Sequence, residues 1–192
     1  MADFPSMPGP EPENRSEHPS VAGATLSWMR DLFISVLIAI VVILFLYQPV
    51  KVEGTSMEPT LWNNERIFIN KFMYNFGLAK VSRGDTVVFW YPNDPTKSYI
   101  KRVIGVPGDI VEVVDGTVYV NGRALEESYL PENYRDHSSW PKQKIPPDRY
   151  FVLGDHRVSS NDSRSWGLVP GGDIYGKAVF VYWPYDRVGV VH

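Results

Sequence analysis

The chain has 192 residues, with 19 Lys+Arg against 22 Asp+Glu for a formal charge of −3, and no cysteine. That balance excludes a general nucleic-acid binder, which would carry a basic face, and the missing thiols exclude disulfides, cysteine-ligated zinc, iron–sulfur clusters and a cysteine nucleophile. At 44% hydrophobic and 21% charged residues, this is a folding chain, long enough for one domain plus extras.

Residues 1–25 carry Pro5, Pro8, Pro10, Pro12 and Pro19 among Ser, Glu, Asn and Gly, with no helix or strand period. They read as a disordered tail. Leu32 to Tyr47 follows as LFISVLIAIVVILFLY, without charge, Gly or Pro. Extended by Trp28, Met29 and Gln48, it reaches about 20 residues, the length of a membrane span. Trp28 and Tyr47 fall where interfacial aromatics sit, and Pro49 ends the helix. Two other readings are weaker. A soluble helix apolar on every side needs a large core around it. A cleaved signal peptide needs small residues after the apolar run, where QPVKVEG stands instead. The expectation is an uncleaved anchor over 26–48, with a cytoplasmic tail before it and the large domain outside, although the flanking charges decide little.

From Val50 onward the period becomes two. RIFIN (66–70), DTVVFWY (85–91), SYIKRVI (98–104), DIVEVV (109–114), TVYVN (117–121), DRYFVLG (148–154) and GKAVFVYWP (176–184) read as strands bounded by Gly, Pro, Asn or Asp. Asp115-Gly116 between two alternating runs signals a two-residue hairpin. The expected fold class is therefore mostly β, one transmembrane helix followed by an antiparallel β-sheet domain over 49–192. Residues 123–147, broken by Pro131, Pro141, Pro146 and Pro147, read as a small irregular excursion from it.

The four histidines, His18, His137, His156 and His192, form no i, i+4 pair and no H-E-x-x-H, so no metal site is expected. A Ser-His-Asp triad would need His137 or His156, and the adjacency of Asp155 and His156 is not triad geometry. Three segments are more informative. In GTSMEPTL (54–61), Gly54 permits unusual backbone and Pro59 restricts Glu58, which puts Ser56 in a stiffened turn; a plain turn before a strand accounts for it too. In SYIKRVIGVPGD (98–109), Lys101 shares a strand face with Tyr99 and Val103. Facing inward, its pKa falls toward that of a general base; facing water, it is an ordinary lysine. In FVLGDHRVSSNDSRSWGLVP (151–170), Asp155, Arg157, Ser159, Ser160, Asn161, Asp162, Ser163 and Arg164 crowd one loop. Its two Asp and two Arg suggest carboxylate–guanidinium pairs within the loop, against the plainer reading of a polar surface loop.

In this order and after the apolar run, these segments resemble type I signal peptidases, membrane-bound serine proteases with a Ser–Lys dyad. The likeness covers roughly 28–184 and rests on SMEPTL (56–61), GDTVVFWYP (84–92), YIKRVIGVPGD (99–109) and GDHRVSSNDSRSWG (154–167). It implies Ser56 as nucleophile, with its backbone N–H as an oxyanion donor, and Lys101 as general base. Ser160 would orient the lysine, and Asp162 and Arg164 would form a supporting ion pair. Val52, Met57, Leu61 and Ile100 would line pockets for the small residues before the cut. The resemblance implies no cofactor. Its partners are signal-peptide-bearing preproteins, the lipid bilayer and the protein export machinery, with no nucleic acid. It implies a bacterial inner membrane location with the catalytic domain on the periplasmic side.

Two positions depart from the pattern. Gly54 stands where some relatives carry a serine whose hydroxyl completes the oxyanion hole. His156 stands where bacterial relatives often have Asn, and no catalytic need for it is apparent. Relatives of the endoplasmic reticulum use histidine in place of the lysine, so Lys101 marks the bacterial–organellar type. Three rivals stay open: an anchored β-domain without chemistry, in which Ser56 and Lys101 are replaceable; a Ser–Lys peptidase for one substrate, or an organellar one; and a soluble self-cleaving repressor, against which the apolar run and the lack of a DNA-binding segment count.

Overall fold

The computed structural model describes residues 21–71 and 80–191. Residues 1–20 of the expected tail, with His18, and the final His192 lie outside the described residues. The chain divides into two units at residues 41 and 42. Helix α1 runs Val21–Leu46, 26 residues, or roughly 39 Å at the α-helical rise. Its window Thr25–Val42 has a mean hydropathy of 1.8 and no buried residues, so it is long and apolar enough to cross a membrane. It starts inside the stretch read as tail and stops before residue 48. Tyr47 and Gln48 instead open a strand, because Pro49 forces the residue before it out of helical backbone.

The strands are β1 Tyr47–Lys51, β2 Arg66–Asn70, β3 Thr86–Tyr91, β4 Asp94–Gly105, β5 Ile110–Val114, β6 Thr117–Val120, β7 Arg123–Ala124, β8 Trp140–Lys144, β9 Arg149–Leu153, β10 Val169–Pro170, β11 Ile174–Trp183 and β12 Gly189–Val190. The larger sheet has the order β1-β2-β11-β3-β4-β9-β10, with β12 on β11; the smaller has the order β7-β6-β5-β8. Every pairing is antiparallel. The mostly β, antiparallel architecture is the expected one, and all seven expected strands are present, with β4 starting earlier, at Asp94. Asp115 and Gly116 join β5 to β6 with φ of 46° and 77°, the two positive values that a type I′ turn demands. The stretch 123–147 is less irregular than its prolines suggest. It contains β7 and β8, one on each edge of the smaller sheet. Pro141 sits within β8, and an edge strand tolerates the missing N–H.

Three apolar clusters hold the domain. One joins Val52, Met57 and Leu61 to Ile67, Ile69, Val88, Ala178 and Val181. A second packs Val111, Val113, Val118 and Val120 of the smaller sheet against Ile104, Phe151 and Leu153 of the larger. The third lies around Val87, Phe89, Val103 and Val152. Met57 and Leu61 are 1% and 0% exposed, and burying such a side chain is worth about 1.5–3 kcal/mol. The turn that carries Ser56 is thus pinned by apolar side chains of one cluster, Val52 before the serine and Met57 and Leu61 after it.

Candidate active site

Lys101 takes the inward of its two expected orientations. It is 4% exposed, opposite Val87 in the β3–β4 register. Its Nζ donates to Ser56 Oγ at 2.7 Å and to the Ile100 carbonyl at 2.9 Å. Burial pushes its pKa down from 10.5 to about 8, against the opposing pull of the Asp162 and Asp155 carboxylates. An amine in that range is partly neutral near pH 7 and can take a proton from a hydroxyl it touches.

Ser56 is held through its backbone. Gly54, at φ 91°, donates its N–H to Asn63 Oδ1 at 3.0 Å. Glu58 N–H donates to Thr55 O at 3.1 Å and His156 N–H to Ser56 O at 3.0 Å. The Ser56 N–H makes no hydrogen bond to another described residue. The loop after β9 comes so close that a Cβ on Gly154 would stand 2.4 Å from Ser56 O and 2.2 Å from Ser160 Oγ. Gly154→Ala must therefore displace one serine or the other. A misplacement of about 1 Å at a reacting group costs on the order of 10²-fold. Cleavage kinetics of Gly154→Ala are expected to show that loss in kcat with little change in KM; a wild-type kcat would mean that the loop has room to yield.

The expected Asp162–Arg164 pair is present. Asp162 accepts from Arg164 Nε and Nη2, each at 2.8 Å, and from Gly154 N at 3.1 Å. Arg164 also reaches Asp136 at 2.5 Å and Ser138 Oγ at 2.7 Å, tying the loop to the 123–147 stretch. The other pairing expected within the loop does not form. Asp155 accepts instead from Arg102 of β4, at 2.9 and 2.7 Å, with both side chains buried. Arg102 continues to Gly84 O at 2.9 Å and lies over the Tyr129 ring at 4.0 Å, while Thr60 Oγ1 donates to Asp155 at 2.6 Å. Arg157 pairs with Glu127. Buried charges need partners wherever the fold offers them, and the β4–β9 register brings Arg102 beside Leu153, just before this loop. Sequence reading missed Arg102, Glu127 and Gly154; the one available signal was a charged residue inside the apolar run of β4.

The Ser160 hydroxyl is buried beside Gly154 and makes no hydrogen bond to Lys101 or to any other described residue. The His156 ring meets the Thr55 carbonyl at 3.2 Å, and His137 pairs with Asp115 at 2.9 Å. Neither histidine lines the cleft that holds Ser56 and Lys101, so neither serves as a base there. That cleft, about 580 Å³, is bounded by residues 50–56 and 98–101 with Ile67, Val88, Ser159 and Asn161. Val52 and Ile100 form part of its wall. Met57 and Leu61 lie beneath, in the apolar cluster. Because β9 pairs with β4 only from Arg102 onward, no described strand pairs with the segment 98–101 on the cleft side.

The family model for signal peptidases, peptidase S26, matches residues 25–183. Signal peptidase I P of Bacillus subtilis subsp. natto is 41% identical over 172 residues, covering 85% of this chain and 91% of that protein. Signal peptidase I of Leptolyngbya laminosa is 35% identical over 198 residues, covering 98% and 94%. A crystal structure of a signal peptidase I from Enterococcus faecalis V583 is 35% identical, with a TM-score of 0.46, covering 52% of this chain and 97% of its own. From the family match and the length of chain these relatives share, the protein belongs to the signal peptidase family, peptidase S26, and is a serine protease that removes signal peptides.

Proposed function

We propose that the protein is a membrane-anchored endopeptidase that cuts signal peptides from exported preproteins after small residues, with Ser56 as nucleophile and Lys101 as general base. The observation that carries this reading is the 2.7 Å contact between a hydroxyl and a buried amine of lowered pKa. In the neutral amine the contact reverses, and Nζ accepts the Ser56 Oγ proton as Oγ attacks the scissile carbonyl. The carbonyl electron pair moves to oxygen, where the Ser56 N–H stabilises it. The Lys101 ammonium returns its proton to the leaving amine, and an acyl-enzyme remains. Lys101, neutral again, takes a proton from water as the water oxygen attacks the ester carbon; the bond to Ser56 Oγ then breaks, the ammonium returns its proton to Oγ, and the product leaves with its new carboxylate.

The supporting roles follow the same logic. Asp162 and Arg164 hold the 154–164 loop in shape, while Ser160, whose hydroxyl makes no hydrogen bond to Lys101, acts by packing against Gly154 and not by orienting the amine. An extended substrate adds along the cleft-side edge of 98–101. Val52 and Ile100 restrict the side chains before the cut, with Met57 and Leu61 as the floor beneath. We assign helix α1, Val21–Leu46, to the anchor in place of 26–48, the residues before it to a cytoplasmic tail and the β domain that follows to the periplasmic side of a bacterial inner membrane. The apolar α1 and the need to cut preproteins after export support that orientation. Substrate would then arrive from the bilayer, delivered by the export machinery.

The test is cleavage of a purified preprotein by the full chain in detergent, with the product's new N-terminus sequenced. The wild-type chain is expected to cut after a small residue and Ser56→Ala to leave the preprotein intact. Cleavage surviving in Ser56→Ala would remove the serine from the mechanism.

A further inference from the structure

Two peptide groups flank the Ser56 Cα, and one residue holds both. The His156 N–H donates to Ser56 O at 3.0 Å. The His156 ring nitrogen Nδ1 stands 3.2 Å from Thr55 O. A carbonyl oxygen only accepts, so Nδ1 carries the proton in this contact. Thr55 O belongs to the same planar unit as the Ser56 N–H, and in a trans peptide the two point in opposite directions. Fixing the oxygen therefore aims the N–H. Thr55 O also accepts from Glu58 N at 3.1 Å, and hydrogen bonds at one end of a peptide polarise the donor at the other. Behind His156, the Tyr134 ring packs edge-on at 4.7 Å and 74°. Tyr134 closes a short 3-10 turn, Glu132–Tyr134, in the 123–147 stretch. That excursion thus buttresses a ring that points at the nucleophile's backbone, from outside the cleft.

We infer that His156 is a positioning residue for the oxyanion hole: through Thr55 O it orients and polarises the Ser56 N–H that receives the developing negative charge. This rests on the proposed role of Ser56. It gives residue 156 a function that its position outside the cleft conceals. It also suits a site with glycine at position 54, where no side-chain hydroxyl shares the load and the aim of one backbone donor matters more.

Three variants of the full chain in detergent test it. His156→Phe keeps a ring against Tyr134 but removes the donor. His156→Asn restores an N–H at the same number of bonds from Cα as Nδ1. His156→Ala serves should the phenylalanine not fold. All keep the backbone N–H bond to Ser56 O. Removing an oxyanion donor outright costs about 10²–10³-fold, so losing the group that aims it is expected to lower kcat by about 10-fold with KM within about twofold. His156→Asn is expected to recover most of that loss. A peptide aldehyde ending in alanine adds an independent reading. Ser56 Oγ bonds to its carbon, the C=O pair moves to oxygen, and the Oγ proton passes to Lys101. Its binding should weaken with kcat in His156→Phe, while an uncleavable peptide that forms no adduct binds as before.

Wild-type kcat in His156→Phe, a change confined to KM, or a loss that asparagine does not recover would each overturn the inference. Cleavage by Ser56→Ala would instead overturn the reading beneath it, so the two failures are separable.

Discussion

Replacing Lys101 by methionine is expected to abolish cleavage, on the order of 10⁶-fold in kcat, and to make the folded domain more stable. The loss follows from the base leaving a unit that works only as a unit. Ser56→Ala is expected to cost as much, and the double variant no more than either. The gain in stability follows from burial. Lys101 is held at about 8 instead of 10.5, so between those values the folded chain binds fewer protons than the unfolded one. Stability then rises as pH climbs from 8 to 10.5 and carries the full penalty below 8. That penalty is about 3 kcal/mol, which corresponds to about 6–12 °C in unfolding temperature for a domain of this size. Methionine fills the same space without charge. At pH 7 Lys101→Met should melt higher by at most that margin, because methionine leaves Ser56 Oγ and the Ile100 carbonyl without the partner Nζ gave them, and the advantage should shrink toward pH 10.5. The wild-type rate should climb about tenfold per pH unit up to about 8 and then level off as the amine becomes neutral. A rate flat from pH 5 to 9, or a Lys101→Met chain no more stable than wild type at pH 7, would contradict a buried lysine base.

The same burial explains what could be read in advance. The local patterns of Ser56 and Lys101, a stiffened turn and a lysine in an apolar strand, each allowed a plainer reading, and the proposed roles were legible only through the resemblance of the ordered segments to type I signal peptidases. The strands were legible wherever one face is buried, as in β2, where Ile67 and Ile69 alternate with more exposed neighbours. β8 was not, since Pro141 reads as a breaker until its edge position is known. The end of α1 was misread because hydropathy does not separate helix from strand at Tyr47 and Gln48. The ion pairs were hardest. Two carboxylates and two guanidiniums between Asp155 and Arg164 permit several pairings by charge alone. The partners that decide them, Arg102 for Asp155 and Glu127 for Arg157, lie 53 and 30 residues away. Only the folded sheet brings them together.

Arg102→Leu is expected to destabilise the domain by about 3–5 kcal/mol, because it strands the Asp155 carboxylate in the interior. Asp155 is 0% exposed and Arg102 is 2% exposed, so neither charge has water to fall back on. Adding Asp155→Leu removes the stranded charge, and an apolar pair in place of a buried ion pair is often neutral or stabilising. Recovery here should be incomplete. Thr60 Oγ1 and the Gly84 carbonyl also bond to this pair, and leaving such groups unpaired costs about 1–3 kcal/mol each. Activity should not follow stability back. Arg102 adjoins Lys101 on β4, and Asp155 lies between Gly154, which packs on Ser56 O, and His156, which binds it. The pair therefore sets the spacing between the strand that carries the base and the loop that braces the nucleophile, and two leucines do not reproduce a bidentate contact of fixed length. The expected outcome is a double variant that melts well above Arg102→Leu yet cleaves preprotein as poorly as it does. If activity returned along with stability, the pair would be a strut for the fold alone, and the geometry of Ser56 and Lys101 would owe nothing to it.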